Sequence, residues 1–338
     1  MSAIDQQVVD WLLTADEPWV RLQAMRELAG RPDDDPDVQR ARRATARHPF
    51  IQWLLESCQS WPGGNTLTRH NNAKHPLHHL ALLADLGIRL PDRGARAVAK
   101  RVMANQHECG AFQCWAMLPT VFGGDGIDQW CWMICDAPVL AHSLLALGVT
   151  KSKPLDAALA HIESCATDDG WRCVSSFPKV RGPGRKDDPC PYATLLALRA
   201  LALSPAHRDS RACHAGTEML LGHWEHQGSV KYRMFGIGTD YRKLKYPFIW
   251  YDILHVLDVL SRFPWTHRDS RFQEQMDIAR SAADQQGRFV PQSVWMAFSG
   301  ADFSQKKSPS PTLTLAVQRI VRRAEVGLVL EARKVESA

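Results

Sequence analysis

The sequence predicts an all-α repeat protein, and three observations predict it. The first is a ladder of glycines: Gly110, Gly170, Gly228 and Gly287 stand 60, 58 and 59 residues apart. Each closes an amphipathic stretch and is followed within two residues by an apolar or aromatic side chain: Phe112, Trp171, Val230 and Phe289. The second is an interleaved ladder of prolines, Pro76, Pro138, Pro191, Pro247 and Pro311, at intervals of 62, 53, 56 and 64, each heading a Leu/Ala-rich run. Proline suits the first helical turn, where its missing N–H costs nothing, and glycine suits the left-handed position just past the last turn. The third is an alternation of polarity. Runs behind the prolines are apolar nearly all round and the next ones are one-sided, which marks buried and water-facing helices in turn. Self-similarity at a fixed period outranks any local motif as evidence of fold.

Along the chain, residues 1–60 read as a helical extension. Val8, Trp11 and Leu12, then Val20, Leu22, Met25 and Leu28, keep helical spacing. Pro32-Asp33-Asp34-Asp35-Pro36 is a charged turn, and the helical pattern resumes to Cys58. The repeat domain is expected over 61–338. Its apolar helices are His75–Gly87, Asp136–Gly148, Pro189–Leu201, Tyr246–Leu257 and one opening near Pro309. Its more charged helices are Arg93–Glu108, Leu155–Thr167, Ser210–Gln227 and Arg271–Gln286. Buried and exposed helices in alternation imply an inner and an outer layer. An open stack of helix pairs satisfies the same pattern, but the apolarity of the first helices favours closure into a ring.

Composition narrows the function. Nine cysteines, an odd number with no Cys-x-x-Cys pair, and an N-terminus without a basic and apolar leader predict free thiols and a cytoplasmic protein. No apolar run approaches the ~20 residues that span a bilayer. A net charge of +5 with acidic residues mixed throughout argues against nucleic acid as the partner. Twelve tryptophans, several at helix ends, suit the locking of layers or the lining of an apolar pocket.

The Asp169-Gly170-Trp171 tripeptide, the Gln106…Gly110-Ala111-Phe112 variant and the alternation of helices resemble the repeat of terpenoid cyclases and protein prenyltransferase β subunits, across roughly residues 61–325. The resemblance implies an (α/α) toroid of about five inner/outer helix pairs, with a central ligand cavity near the N-termini of the inner helices. This chain departs from the pattern in two ways. It has no Asp-x-Asp-Asp proton donor, which argues against protonation-initiated cyclisation, and the repeats after Gly228 and Gly287 lack the tryptophan.

In such a ring the residues ahead of each inner helix meet at one mouth. Arg69 and Lys74 precede the first, Arg185 and Lys186 the third, Arg242, Lys243 and Lys245 the fourth, and Lys306 and Lys307 the fifth, while the second is entered by the acidic Asp136. Cations beside helix N-termini predict an anion site. Tyr246 and Trp250, within an aromatic and basic stretch, are expected to line a pocket wall. Polar side chains on the apolar helices supply chemistry: Asp136, Asp252, Tyr192 and His255 as acid–base groups, and His75, His79, Cys135 and Cys190 as ligands for zinc or another divalent metal. Prenyltransferases hold zinc with an aspartate, a cysteine and a histidine near this mouth, although the order here, Cys135-Asp136, differs from theirs. The expected function is an enzyme acting on a small-molecule or lipid-like anionic ligand, an isoprenoid diphosphate or lipid phosphate, with a protein partner as a further candidate to complete the site. The alternative is a ligand-binding or scaffold toroid without catalysis.

Overall fold

Most of the described helices start on a side chain that caps them: Asp5, Asp35, Ser152, Ser210 and Asp269 each accept a backbone N–H of the helix that follows. In this computed structural model residues 5–60, 65–182, 188–227 and 236–336 are described. Helices α1 (Gln6–Leu13), α2 (Pro18–Gln23), α3 (Pro36–Arg47) and α4 (Pro49–Gln59) come first. Then follow α5 (Pro76–Asp85), α6 (Ala95–Met103), strands β1 (Cys114–Ala116) and β2 (Gln129–Cys131), α7 (Ala137–Ala146) and α8 (Lys153–Ser164). After β3 (Ala166–Thr167) and β4 (Gly170–Trp171) come α9 (Pro191–Leu201), α10 (Arg211–Glu225), α11 (Ile253–Leu260), α12 (Ser270–Ser281) and α13 (Pro311–Glu336). The fold is all-α, with only short antiparallel strand pairs among the described residues.

The chain divides into two compact units, Met1–Ile51 with Gly238–Ala338 and Gln52–Ile237. In the second unit α5, α7 and α9 lie side by side, with α8 against α7 and α9 and α10 against α9. All eleven residues of α9 are buried, whereas α8 buries only the stripe Leu155, Ala158, Leu159 and Ile162. The predicted alternation of buried and one-sided helices therefore holds in this unit. The first unit joins the two chain ends. Trp19 donates its indole N–H to Thr312 Oγ1 at 2.9 Å, Arg319 meets Glu27 at 2.7 Å, and Phe50 packs edge-on against Phe298 and Phe303. The segment expected as an accessory extension is thus part of a core.

The glycine ladder read from the sequence does different work from that expected. Helices α6, α8 and α12 end six or seven residues before Gly110, Gly170 and Gly287. Each glycine instead turns a small hairpin that follows the helix. The hairpins pair Gln106 with Phe112, Ala166 with Trp171 and Ala283 with Phe289. The turns need φ values of +95°, +101° and +72°, which glycine alone adopts without strain. The aromatic residue behind each glycine returns into the core, where Phe112, Trp171 and Phe289 are all buried. Gly228 lies outside the described residues. The glycines that cap helices are others. Gly87 and Gly148 end α5 and α7 in paired 6→1 and 5→2 hydrogen bonds, Ile88 to Leu83 with Gly87 to Ala84, and Val149 to Leu144 with Gly148 to Leu145.

Among the prolines, Pro76, Pro138, Pro191 and Pro311 sit in first turns as predicted. Pro247 does not. Helix α11 starts six residues later at Ile253, because Asp252 supplies a carboxylate cap that the proline lacks.

Candidate active site

A helix leaves its first N–H groups without partners, so a polar side chain at each start is a structural requirement. Most of the polar residues predicted at the inner helices meet it. His75 Nδ1 accepts from the Leu77 N–H at 3.2 Å, Cys190 Sγ from the Ala193 N–H at 3.4 Å, and Asp252 Oδ1 from the His255 N–H at 3.0 Å. Capping accounts for their recurrence at one end of the helices.

Asp136 breaks the pattern. It stands at the cap of α7, yet its side chain bonds no backbone N–H of that helix. Its Oδ1 instead takes His70 Nδ1 at 2.9 Å. The carboxylate is 1% exposed and the imidazole 31%. Asp136 Oδ2 is buried without a hydrogen-bond partner among the described residues. The loop that carries His70 is fixed by its own carbonyl, which accepts from His78 Nε2 at 2.7 Å. Burial pushes the His70 pKa down, but the charge and hydrogen bond of Asp136, with Cys173 adding to them, hold it above the usual histidine value.

Cysteines surround this pair. Residues 132–135 run antiparallel to 173–176, with Met133 opposite Ser175 and hydrogen bonds from Ile134 N to Val174 O and Ser176 N to Trp132 O, both 3.0 Å. The same register places Cys135 across from Cys173, and Cys190 hydrogen-bonds to both thiols. Cys114 stands opposite Cys131 in the β1–β2 pair. The Asp136 charge reaches Cys114, Cys131 and Cys135. Burial raises these thiols, Cys131 to about 12, so they stay protonated and unreactive at neutral pH. Tyr192 is buried beside the same group and its hydroxyl is likewise pushed up by burial.

The predicted metal ligands are only partly brought together. Cys135 and Cys190 touch, but His75 also bonds the Asn65 carbonyl and His79 bonds Ser57 Oγ at 2.8 Å. Burial holds His75 and His79 at about 4 and His78 at about 3, neutral through the physiological range. Among the described residues no group of three or more His, Cys, Asp or Glu side chains is placed to hold a metal ion. Arg69 and Lys74 are exposed on the loop around His70. Arg185 and Lys186 lie outside the described residues.

Two groups of this site, His70 and Cys173, were not singled out by the sequence. His70 sits in a polar loop among common residues, and only Asp136's failure to cap its helix distinguishes it.

The first unit holds a separate buried pair. Lys245 Nζ lies 3.9 Å from Asp252 Oδ2 and 5.1 Å from the centre of the Trp295 ring. Burial raises the Asp252 carboxyl to about 7 against the pull of Lys245 and of the backbone N–H groups it caps. His255 stacks on Phe248 and its Nδ1 meets the Trp250 carbonyl at 2.8 Å. The described part of the aromatic stretch is packed: Tyr246 lies against Phe248 and Phe303, Tyr241 bonds Gln275, and only Trp250 is half-buried. Arg242 bonds the Gly238 carbonyl, and Lys243 pairs with Asp240 at the surface.

No helix among the described residues is long and apolar enough to cross a membrane. No protein-family model matches the chain, and no curated protein matches it. Among solved structures it is similar to an unsaturated glucuronyl hydrolase from Bacillus sp. GL1, responsible for the degradation of glycosaminoglycan, at 13% identity and a TM-score of 0.46, over 90% of this chain and 84% of that one.

Proposed function

We propose that this chain is an enzyme that moves protons at the His70–Asp136 pair, on a substrate bearing a phosphate or carboxylate group. The observation that carries the reading is the diversion of Asp136 from its helix end to His70. A buried carboxylate that gives up a cap bond loses about 1 kcal/mol of helix stabilisation, and orienting an imidazole is the role that replaces it. Asp136 accepts the Nδ1 proton, which fixes the tautomer and leaves Nε2 to take or give a proton on substrate. Anion preference rests on the exposed Arg69 and Lys74, which flank His70 on its loop.

The test uses an aryl phosphate monoester, an aryl phosphate diester and farnesyl diphosphate as probes of the purified chain. Turnover of one of them is expected to fall by about 10²–10⁴-fold in His70→Gln and in Asp136→Asn, with helicity unchanged. Full turnover in either variant overturns the assignment. Farnesyl diphosphate turned over in preference to the aryl esters supports the amphiphilic ligand, and the reverse restricts recognition to the anionic head.

The scaffold reading keeps one specific support: His75, Cys190 and Asp252 are explained by capping and need no catalysis. It predicts anion binding without turnover, and binding that survives His70→Gln.

A further inference from the structure

Where the first glycine hairpin meets α8, two thiols face one imidazole. Cys109 stands in the hairpin that turns at Gly110, His161 lies in the last turn of α8, and Cys165 is that helix's C-cap. The hairpin lies along α8 in a fixed register. Gln106 Nε2 donates to the Pro154 carbonyl at 2.6 Å, and a Cβ on Gly110 would stand 2.7 Å from the Ala157 carbonyl. Residues 154, 157, 161 and 165 form one helical stripe, so the neighbouring hairpin residue, Cys109, meets His161. Cys109 Sγ is 3.8 Å from His161 Nε2, and Cys165 Sγ is 3.7 Å from the same nitrogen. The two sulfurs are therefore at most about 7.5 Å apart, across a shared imidazole.

Of the nine cysteines, all of them within the described residues, Cys109 alone is exposed. Burial raises the Cys165 thiol to about 11, and the charge of Cys109 adds to the rise, so each thiol feels the other. From this arrangement we propose that Cys109 is a site of oxidation by hydroperoxides, and that Cys165 captures the oxidised sulfur in a disulfide that ties the first glycine hairpin to α8.

His161 is the base. Burial and the neighbouring His107 charge hold it below the usual histidine value, so it is neutral at physiological pH and its Nε2 accepts a thiol proton. Its ring is held edge-on to Trp132, with centroids 4.6 Å apart. His107 has a different task. Its Nδ1 accepts the Cys109 backbone N–H at 3.2 Å and lies 3.1 Å from Cys109 Sγ, which fixes the turn that presents the thiol. In the first step Cys109 passes its proton to His161 and its sulfur attacks the hydroperoxide. The O–O bond breaks, Cys109 becomes a sulfenic acid, and the alcohol leaves with the proton. In the second step the Cys165 sulfur attacks the sulfenic sulfur, the S–O bond breaks, and water leaves with the Cys165 proton as the S–S bond forms. Two thiols give up two electrons, and one hydroperoxide is reduced to one alcohol and one water. Rotation about χ1 of the exposed Cys109 and the half-buried Cys165 closes the sulfurs to the bonded ~2.05 Å. None of these residues belongs to the His70–Asp136 site, so this assignment stands or falls separately.

One equivalent of hydrogen peroxide added to the reduced full chain tests it. The expected product has lost two of its nine thiols and about 2 Da, and proteolysis releases one disulfide-linked pair of peptides, carrying Cys109 and Cys165. Cys165→Ser is expected to stop at a sulfenic acid on Cys109, which dimedone captures, and Cys109→Ser is expected to lose no thiol. In the Cys165→Ser background, His161→Gln is expected to slow dimedone capture at least about tenfold, with added imidazole restoring it. A disulfide within Cys135, Cys173 and Cys190, a dimer joined through Cys109, or dimedone capture unchanged by His161→Gln overturns the proposal. Far-UV circular dichroism on each variant shows that altered reactivity is not loss of fold.

Discussion

Asp252 illustrates a buried carboxylate that is poorly compensated. Its carboxyl sits at about 7 even with an ammonium 3.9 Å away, because burial outweighs Lys245 and the N–H groups it caps. The unfolded chain would ionise this group near the ordinary value of about 4. The folded value is the higher one, so Asp252 favours folding at low pH, and that contribution is lost as pH rises from about 4 to about 7. Lys245→Met removes a charge that lowers the carboxyl and is expected to move it further above 7. A carbon-13 titration of the aspartate carboxyls reads this directly, and no upward shift would mean that the Lys245 charge is not felt there. Cap positions were legible in the sequence because chemistry restricts them: His75, Asp136 and Cys190 were each located at a helix start, whereas Asp252 was placed inside a helix expected from Tyr246. Their roles were not legible. Whether a capping side chain serves its own helix or a distant group depends on contacts such as Asp136 to His70, 66 residues apart.

At the scale of elements, the hairpin that follows α6, α8 and α12 is the repeating device, and its glycine is under two constraints. Gly110 has φ +95°, and a Cβ there would stand 2.7 Å from a backbone oxygen of α8. Gly110→Ala is expected to destabilise the second unit by about 1–3 kcal/mol. Gly222, inside α10, meets nothing within 4 Å of an added Cβ, and Gly222→Ala is expected to stabilise the same unit by about 0.5–1 kcal/mol. Urea denaturation of the two variants checks the opposite signs, and two changes of one sign would contradict the difference drawn between a turn and a helix glycine. The period of about 60 residues and the buried character of the inner helices were readable because hydrophobic pattern and proline position are local signals. The hairpins were not, since strands of two or three residues leave no measurable alternation; Gly87 and Gly148 were read as the ends of their helices, but the capping role was assigned to the other glycines.

At the scale of the molecule, the histidines of α5 set the acid limit of the second unit. His75 and His79 titrate at about 4 and His78 at about 3, against about 6.5 in an unfolded chain. Between these values the unfolded chain binds more protons, so stability falls as pH drops from about 6.5 towards 4. Thermal midpoints across that range are expected to decline with a slope that His79→Gln reduces, and an unchanged slope would show that His79 is not held neutral. The two ends of the chain meeting in one unit had no signature in the sequence, because Trp19 and Thr312 lie 293 residues apart and each looks ordinary in its own neighbourhood. That pairing dictates an order of assembly on the ribosome. The second unit is a continuous stretch and can complete its core as soon as about residue 237 has left the exit tunnel. The first cannot, because the indole of Trp19 has no Thr312 to bond until α13 is made. Helix α2 must therefore wait through the synthesis of the whole second unit with its contacts to α13 unmade, and a chaperone that shields it over that interval would aid assembly.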